Sequence, residues 1–166
     1  MYTIKKMMLA TIMIGFVLTS SGMSAVYAEE SEGMKGVNNA NAFFDMRNGV
    51  PKAAALYLSL IHDTYNELAK MGKNPKFVVG FIGGSVRLIS KDQSGFNPED
   101  RKYLNGIAKT VSQMSKAGIK LEVCLFAVKV FGVDPASILP EINRVGNGWI
   151  SEIGYQTKGY SLVPVY

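Results

Sequence analysis

Two hydrophobic periodicities alternate along residues 42–166, and no other feature of the chain restricts its fold as strongly. Short apolar runs suited to strands are separated by stretches with apolar residues at helical spacing, and Gly or Pro stands at most of the boundaries. Ala42-Phe43-Phe44-Asp45-Met46 reads as a first strand, stopped by Asn48-Gly49. Pro51 suits the first turn of the next helix, where its missing N–H would have no intrahelical acceptor. Ala54, Leu58, Ile61, Tyr65 and Leu68 then recur at helical spacing until Gly72. Residues 76–82 (KFVVGFI) form a nearly continuous apolar run, the pattern of a strand buried on both faces. Asn97-Pro98-Glu99-Asp100 supplies a capping amide, a first-turn proline and acids at the positive end of a second helix. Leu104, Ile107, Val111 and Met114 are its apolar face, and Gly118 ends it.

Ile119, Leu121 and Val123 alternate with Lys120 and Glu122, which predicts another strand. Residues 124–128 follow as a short helix closed by Gly132, and Asp134-Pro135 opens a further short helix over 136–139. A strand over 142–145, a turn over 146–148, a helix over 149–156 ended by Gly159 and a last strand over 160–163 complete the chain. Strand and helix alternate throughout, which predicts one α/β domain with a parallel sheet covered by helices on both faces. No internal repeat interrupts residues 42–166.

The first residues follow another logic. Lys5 and Lys6 precede a mainly apolar run over 7–18, then small residues up to Val26-Tyr27-Ala28, with Glu29 and Glu30 just beyond. The run is too short to span a bilayer, so residues 1–28 read as a cleaved signal peptide and residues 29–41 as a flexible lead-in. No cysteine lies near the cleavage point to carry a lipid anchor. The expected mature chain is periplasmic or secreted and holds no stable membrane anchor. Cleavage would remove two lysines and no acid, leaving a mildly basic chain whose lysines are scattered. Without a basic stripe interleaved with aromatics, nucleic-acid binding is not expected.

Cys124 is the only cysteine, so it forms no intramolecular disulfide and is either buried or reactive. It stands where a strand ends and a helix begins, where unpaired helix-start N–H groups would favour a thiolate. The alternative is a small hydrophobe packed at a strand end. Gly83-Gly84-Ser85 follows a buried strand and, with Arg87, could present N–H groups and a cation to an anion. The loop lacks both the P-loop ending and the dinucleotide-binding spacing, and a tight turn needing glycine accounts for it equally. If that loop and Cys124 lie at one edge of a parallel sheet, they face the same crevice.

His62, the only histidine, is adjacent in sequence to Asp63 on a helix, where neighbours do not face each other. No metal site and no cofactor is expected. Asp45, Asp63, Glu67 and Glu141 show no pairing in the sequence, and Trp149, Tyr155 and Tyr160 suit a core or a subunit interface.

The segments FVVGFIGGSVRLI, LEVCLFAVKVFGV and NGWISEIGYQTKGYSLV, in this order and spacing, resemble the DsrE/DsrF-like family over about residues 42–164. The resemblance implies a three-layer α/β/α sandwich with a mainly parallel sheet of about five strands, assembled into homo-oligomers such as trimers or hexamers. It also implies that Cys124 carries sulfane sulfur as a persulfide, received from a donor and passed to an acceptor protein. That role transfers to Cys124 alone. The ligand-binding residues Gly83, Gly84, Ser85 and Arg87 come from the shared-crevice reading, in which the loop presents N–H groups and Ser85 and Arg87 would hydrogen-bond a bound thiosulfate or persulfide. An export signal departs from the cytoplasmic setting of the tRNA-modifying members. Two other roles stay open: an oligomeric small-ligand-binding module with Cys124 buried, and a thiol redox sensor.

Overall fold

The computed structural model describes residues 31–166, so the signal-peptide expectation for residues 1–28 falls outside the described residues. Ser31–Lys35 holds a single 3-10 turn, Glu32–Met34, with an exposed Lys35–Glu32 ion pair at 2.6 Å. Residues Gly36–Tyr166 make up one folded unit.

Five strands, β1 (Asn41–Met46), β2 (Lys76–Phe81), β3 (Lys120–Cys124), β4 (Asn143–Val145) and β5 (Ser161–Val165), form a single sheet. Its order is β4-β3-β2-β1-β5, and every neighbouring pair is parallel. The expected architecture is therefore present. The part of the lead-in next to β1 already belongs to it: Ala40 N–H donates to Lys73 O, and Ala40 O accepts from Lys76 N–H. β5 pairs with β1 alone among the strands, and Pro164 fits such an edge because it has no N–H to offer a further strand.

Helices α1 (Pro51–Lys70) and α2 (Arg101–Lys116) pack on each other. Ala54, Leu58 and Ile61 of α1 and Leu104, Ile107, Val111 and Met114 of α2 are buried with Phe44, Met46, Phe77, Val79 and Phe81 of β1 and β2. Burial of each large side chain here stabilises by about 1.5–3 kcal/mol. The period of two puts Phe43 and Asp45 on the opposite face, which α4 (Gly148–Thr157) covers through the Phe43–Tyr155 ring contact at 5.6 Å. α3 (Leu125–Val130) continues from β3 without a linker. The expected helix over 136–139 is a single 3-10 turn, Pro135–Ser137, capped by Asp134 Oδ1 accepting from Ala136 N–H.

Candidate functional site

The C-terminal ends of β1, β2, β3 and β4 all reach the same edge of the parallel sheet, the edge at which open α/β sheets bind their ligands. A pocket of about 300 Å³ lies there. Its lining comes from the residues just beyond each strand: Arg47 after β1, Ile82 and Gly83 after β2, Cys124 ending β3, and Asn147 after β4. Phe126, Ala127, Val130 and Phe131, from α3 and its end, and Trp149 of α4 complete the wall. The pocket is thus largely apolar, with a thiol, an amide and a guanidinium as its polar side chains.

Cys124 is the N-cap of α3, in extended conformation, and its Sγ accepts from Ala127 N–H at 3.4 Å. The expected strand-to-helix junction is present, although Cys124 as a residue is only 4% exposed and its outlet is the pocket. Gly148, the first residue of α4, lies close against both Cys124 and Ile82. Asn147 caps α4 by accepting from Trp149 N–H at 3.0 Å, which fixes the helix start beside the cysteine.

Of the four residues of the glycine loop, Gly83 shares the pocket with Cys124. Gly83 has φ +64°, a conformation that a side chain disfavours, so the tight-turn requirement is real. Gly84 backs onto Gly49, where a Cβ on Gly49 would lie 3.2 Å from the Gly84 carbonyl carbon. Ser85 is fully buried, and its hydroxyl donates to Met46 O at 2.6 Å, with Ile82 O at 3.0 Å. It ties the loop after β2 to the end of β1 instead of facing the pocket. Arg87 is exposed, with its guanidinium 5.0 Å from the Phe96 ring centre and Nη2 3.4 Å from Gly95 O. It lines a separate, polar depression with Ser90, Asp92 and Ser137.

The cation at the Cys124 pocket is Arg47, a residue the sequence reading passed over. Its Nε donates to Asp45 Oδ2 at 2.6 Å, so Asp45, unpaired in the sequence reading, has a partner after all. Asp45 is 3% exposed within a strand, and its other oxygen accepts no hydrogen bond. Glu152 of α4 faces the same pair, with Oε2 3.9 Å from Arg47 Nη2 and, among the described residues, without a hydrogen-bond partner for that oxygen. Burial, and secondarily the charge of Asp45, hold the Glu152 carboxyl above its usual range, while Arg47 opposes this. The available signal was Asp45 and Arg47 themselves, a charge inside an apolar strand and its opposite two residues on, just past the strand's end.

A second polar cluster anchors α4. Glu122 of β3 accepts from Tyr155 Oη at 3.0 Å and from Ser151 Oγ. Burial, followed by the neighbouring Glu122, pushes the Tyr155 phenol up to about 12.

Residues 24–165 match the DsrE/DsrF-like family. An uncharacterized protein of Aquifex aeolicus is 29% identical over 126 residues, 74% of this chain and 55% of that protein, so the chain spans little more than half of its length. Among solved structures, MTH1491 of Methanobacterium thermoautotrophicum, a protein of unknown function, has a TM-score of 0.56 at 15% identity, covering 76% of this chain and 97% of that one. The ychN protein of E. coli has a TM-score of 0.45 at 11% identity, covering 76% of this chain and 99% of its own.

Proposed function

The chain belongs to the DsrE/DsrF-like family, and we propose that it is an exported, homo-oligomeric sulfur carrier that holds sulfane sulfur on Cys124. One observation supports this reading above the rest: Cys124 ends a strand and lines a largely apolar pocket at the edge of the sheet where open α/β folds bind ligands. In the proposed step the Cys124 thiolate attacks the outer sulfur of a donor R–S–S⁻. The new S–S bond forms as the donor's S–S bond breaks, the electron pair leaves on R–S⁻, and Cys124 becomes a persulfide anion. A partner thiolate then takes the outer sulfur by the same chemistry in reverse. The Ala127 N–H is in position to donate to the anionic sulfur.

Export would place the carrier in the periplasm or outside the cell, with a donor and an acceptor protein in the same compartment. Self-association would use the apolar surface of α3 and α4, where Phe126, Val130, Trp149, Ile150 and Ile153 are all exposed. Cyanide tests the carrier role chemically. After incubation with inorganic polysulfide and desalting, cyanide should release thiocyanate from the native protein at a level approaching one per chain, and none from Cys124→Ser.

A second reading rests on the 4% exposure of Cys124. A thiol this enclosed also suits a packing residue in a small-ligand-binding module. In that case the folded protein resists both polysulfide and a small alkylating agent.

A further inference from the structure

Among the described residues Arg47 is the one cationic side chain in the lining of the Cys124 pocket, and its geometry is fixed. Its main-chain N–H donates to Val165 O at 2.9 Å, and its side chain is pinned through Nε to the buried Asp45 carboxylate. A guanidinium carries five N–H donors in a rigid plane. Among the described residues, the Nε bond to Asp45 is its only side-chain hydrogen bond, because Glu152 at 3.9 Å is too distant for one. Its terminal nitrogens therefore make no side-chain hydrogen bond among the described residues, with Glu152 as a more distant ionic neighbour of Nη2, at the wall of a largely apolar cavity. A buried carboxylate that orients an arginine while leaving its outer edge open makes a fork for a two-oxygen anion.

From this geometry we infer that Arg47 is the anion-binding residue of the Cys124 pocket. The substrate class is then a small sulfur oxyanion such as thiosulfate, whose sulfonate oxygens pair with the guanidinium while its outer sulfur meets Cys124. The inference rests on the carrier reading above and names the donor chemistry for it. The step balances without an added oxidant or reductant. The Cys124 thiolate attacks the outer sulfur of thiosulfate, the thiosulfate S–S bond breaks, its electron pair leaves on sulfite, and Cys124 persulfide remains. The proton lost from the thiol goes to solvent.

Calorimetric titration of thiosulfate into the Cys124→Ser protein measures anion binding with the chemistry removed. Adding Arg47→Gln should weaken that binding at least about tenfold, the scale of a lost charged hydrogen bond, and Arg47→Lys should restore only part of it. Since Arg47→Gln strips Asp45 of its partner, the Asp45→Asn/Arg47→Gln pair, checked by circular dichroism, separates lost binding from lost folding. Thiosulfate binding unchanged by Arg47→Gln, or absent from a folded Cys124→Ser protein at millimolar ligand, overturns the inference. If polysulfide still loads Cys124 in either of those cases, the carrier reading survives and the anion assignment alone falls. Arg47-dependent binding with no sulfur adduct on native Cys124 would uphold the anion site and remove the carrier reading.

Discussion

A Cβ placed on Gly148 would lie 3.0 Å from the Cβ of Cys124, closer than ordinary packing allows. The same added carbon would meet Ile82 Cδ1 at 2.9 Å. The start of α4 therefore reaches Cys124 this closely only because residue 148 has no side chain. Gly148→Ala should push the helix start outward, cost about 1–3 kcal/mol of stability, and speed alkylation of Cys124. Thermal melts and a timed iodoacetamide reaction check both, and alkylation slower than in the native protein would contradict the account.

Glu152 sets a pH dependence. Its carboxyl is raised above 4.5 by burial first and by Asp45 second, so the folded state prefers it protonated. Stability from this group is present in full below 4.5 and is lost as pH rises through the raised value. The charged groups beside it are Asp45 and Arg47, with Tyr166 acting on Arg47 in turn. Glu152→Gln should raise the melting temperature at pH 7 more than at pH 4 and tighten thiosulfate binding at neutral pH. Melting curves and titrations at the two pH values measure this.

Tyr155 acts at the alkaline end. Its phenol is pushed from 10.0 to about 12 in the folded state, first by burial and then by Glu122. Its contribution holds below pH 10 and fades as pH rises towards 12. Tyr155→Phe should flatten the loss of stability across that window in denaturant titrations.

Self-association is tested on the outer face of α4. Ile150 and Ile153 are 70% and 62% exposed, so charges there cost the folded monomer little. Ile150→Glu with Ile153→Glu should reduce the mass measured by light scattering from an oligomer to a monomer.

The strands, the helices and the parallel sheet were legible because each carries its own periodicity, and Cys124 was legible as a junction because β3 runs directly into α3. Residue contacts set by strand order were not. Arg87 is the arginine nearest the glycine loop in sequence, but the 3-10 segment Gly83–Ile89 carries it outward to Phe96. Arg47 comes to the pocket because β1 lies beside β2 in the sheet, a relation that no local pattern encodes. Ser85 looked like a ligand for the same reason; only the closeness of β1 shows that its hydroxyl is spent on Met46 O. Gly148 read as part of a turn, and its packing against Cys124 depends on how α4 crosses the sheet.

Intact mass of the folded protein after incubation with a sulfane-sulfur donor, beside Cys124→Ser, tests the central claim most directly. The account predicts an adduct of about +32 Da, one sulfur atom, that is removed by reductant and absent from the mutant. No adduct on the native protein, with Cys124 also inert to alkylation until the chain is unfolded, would contradict it.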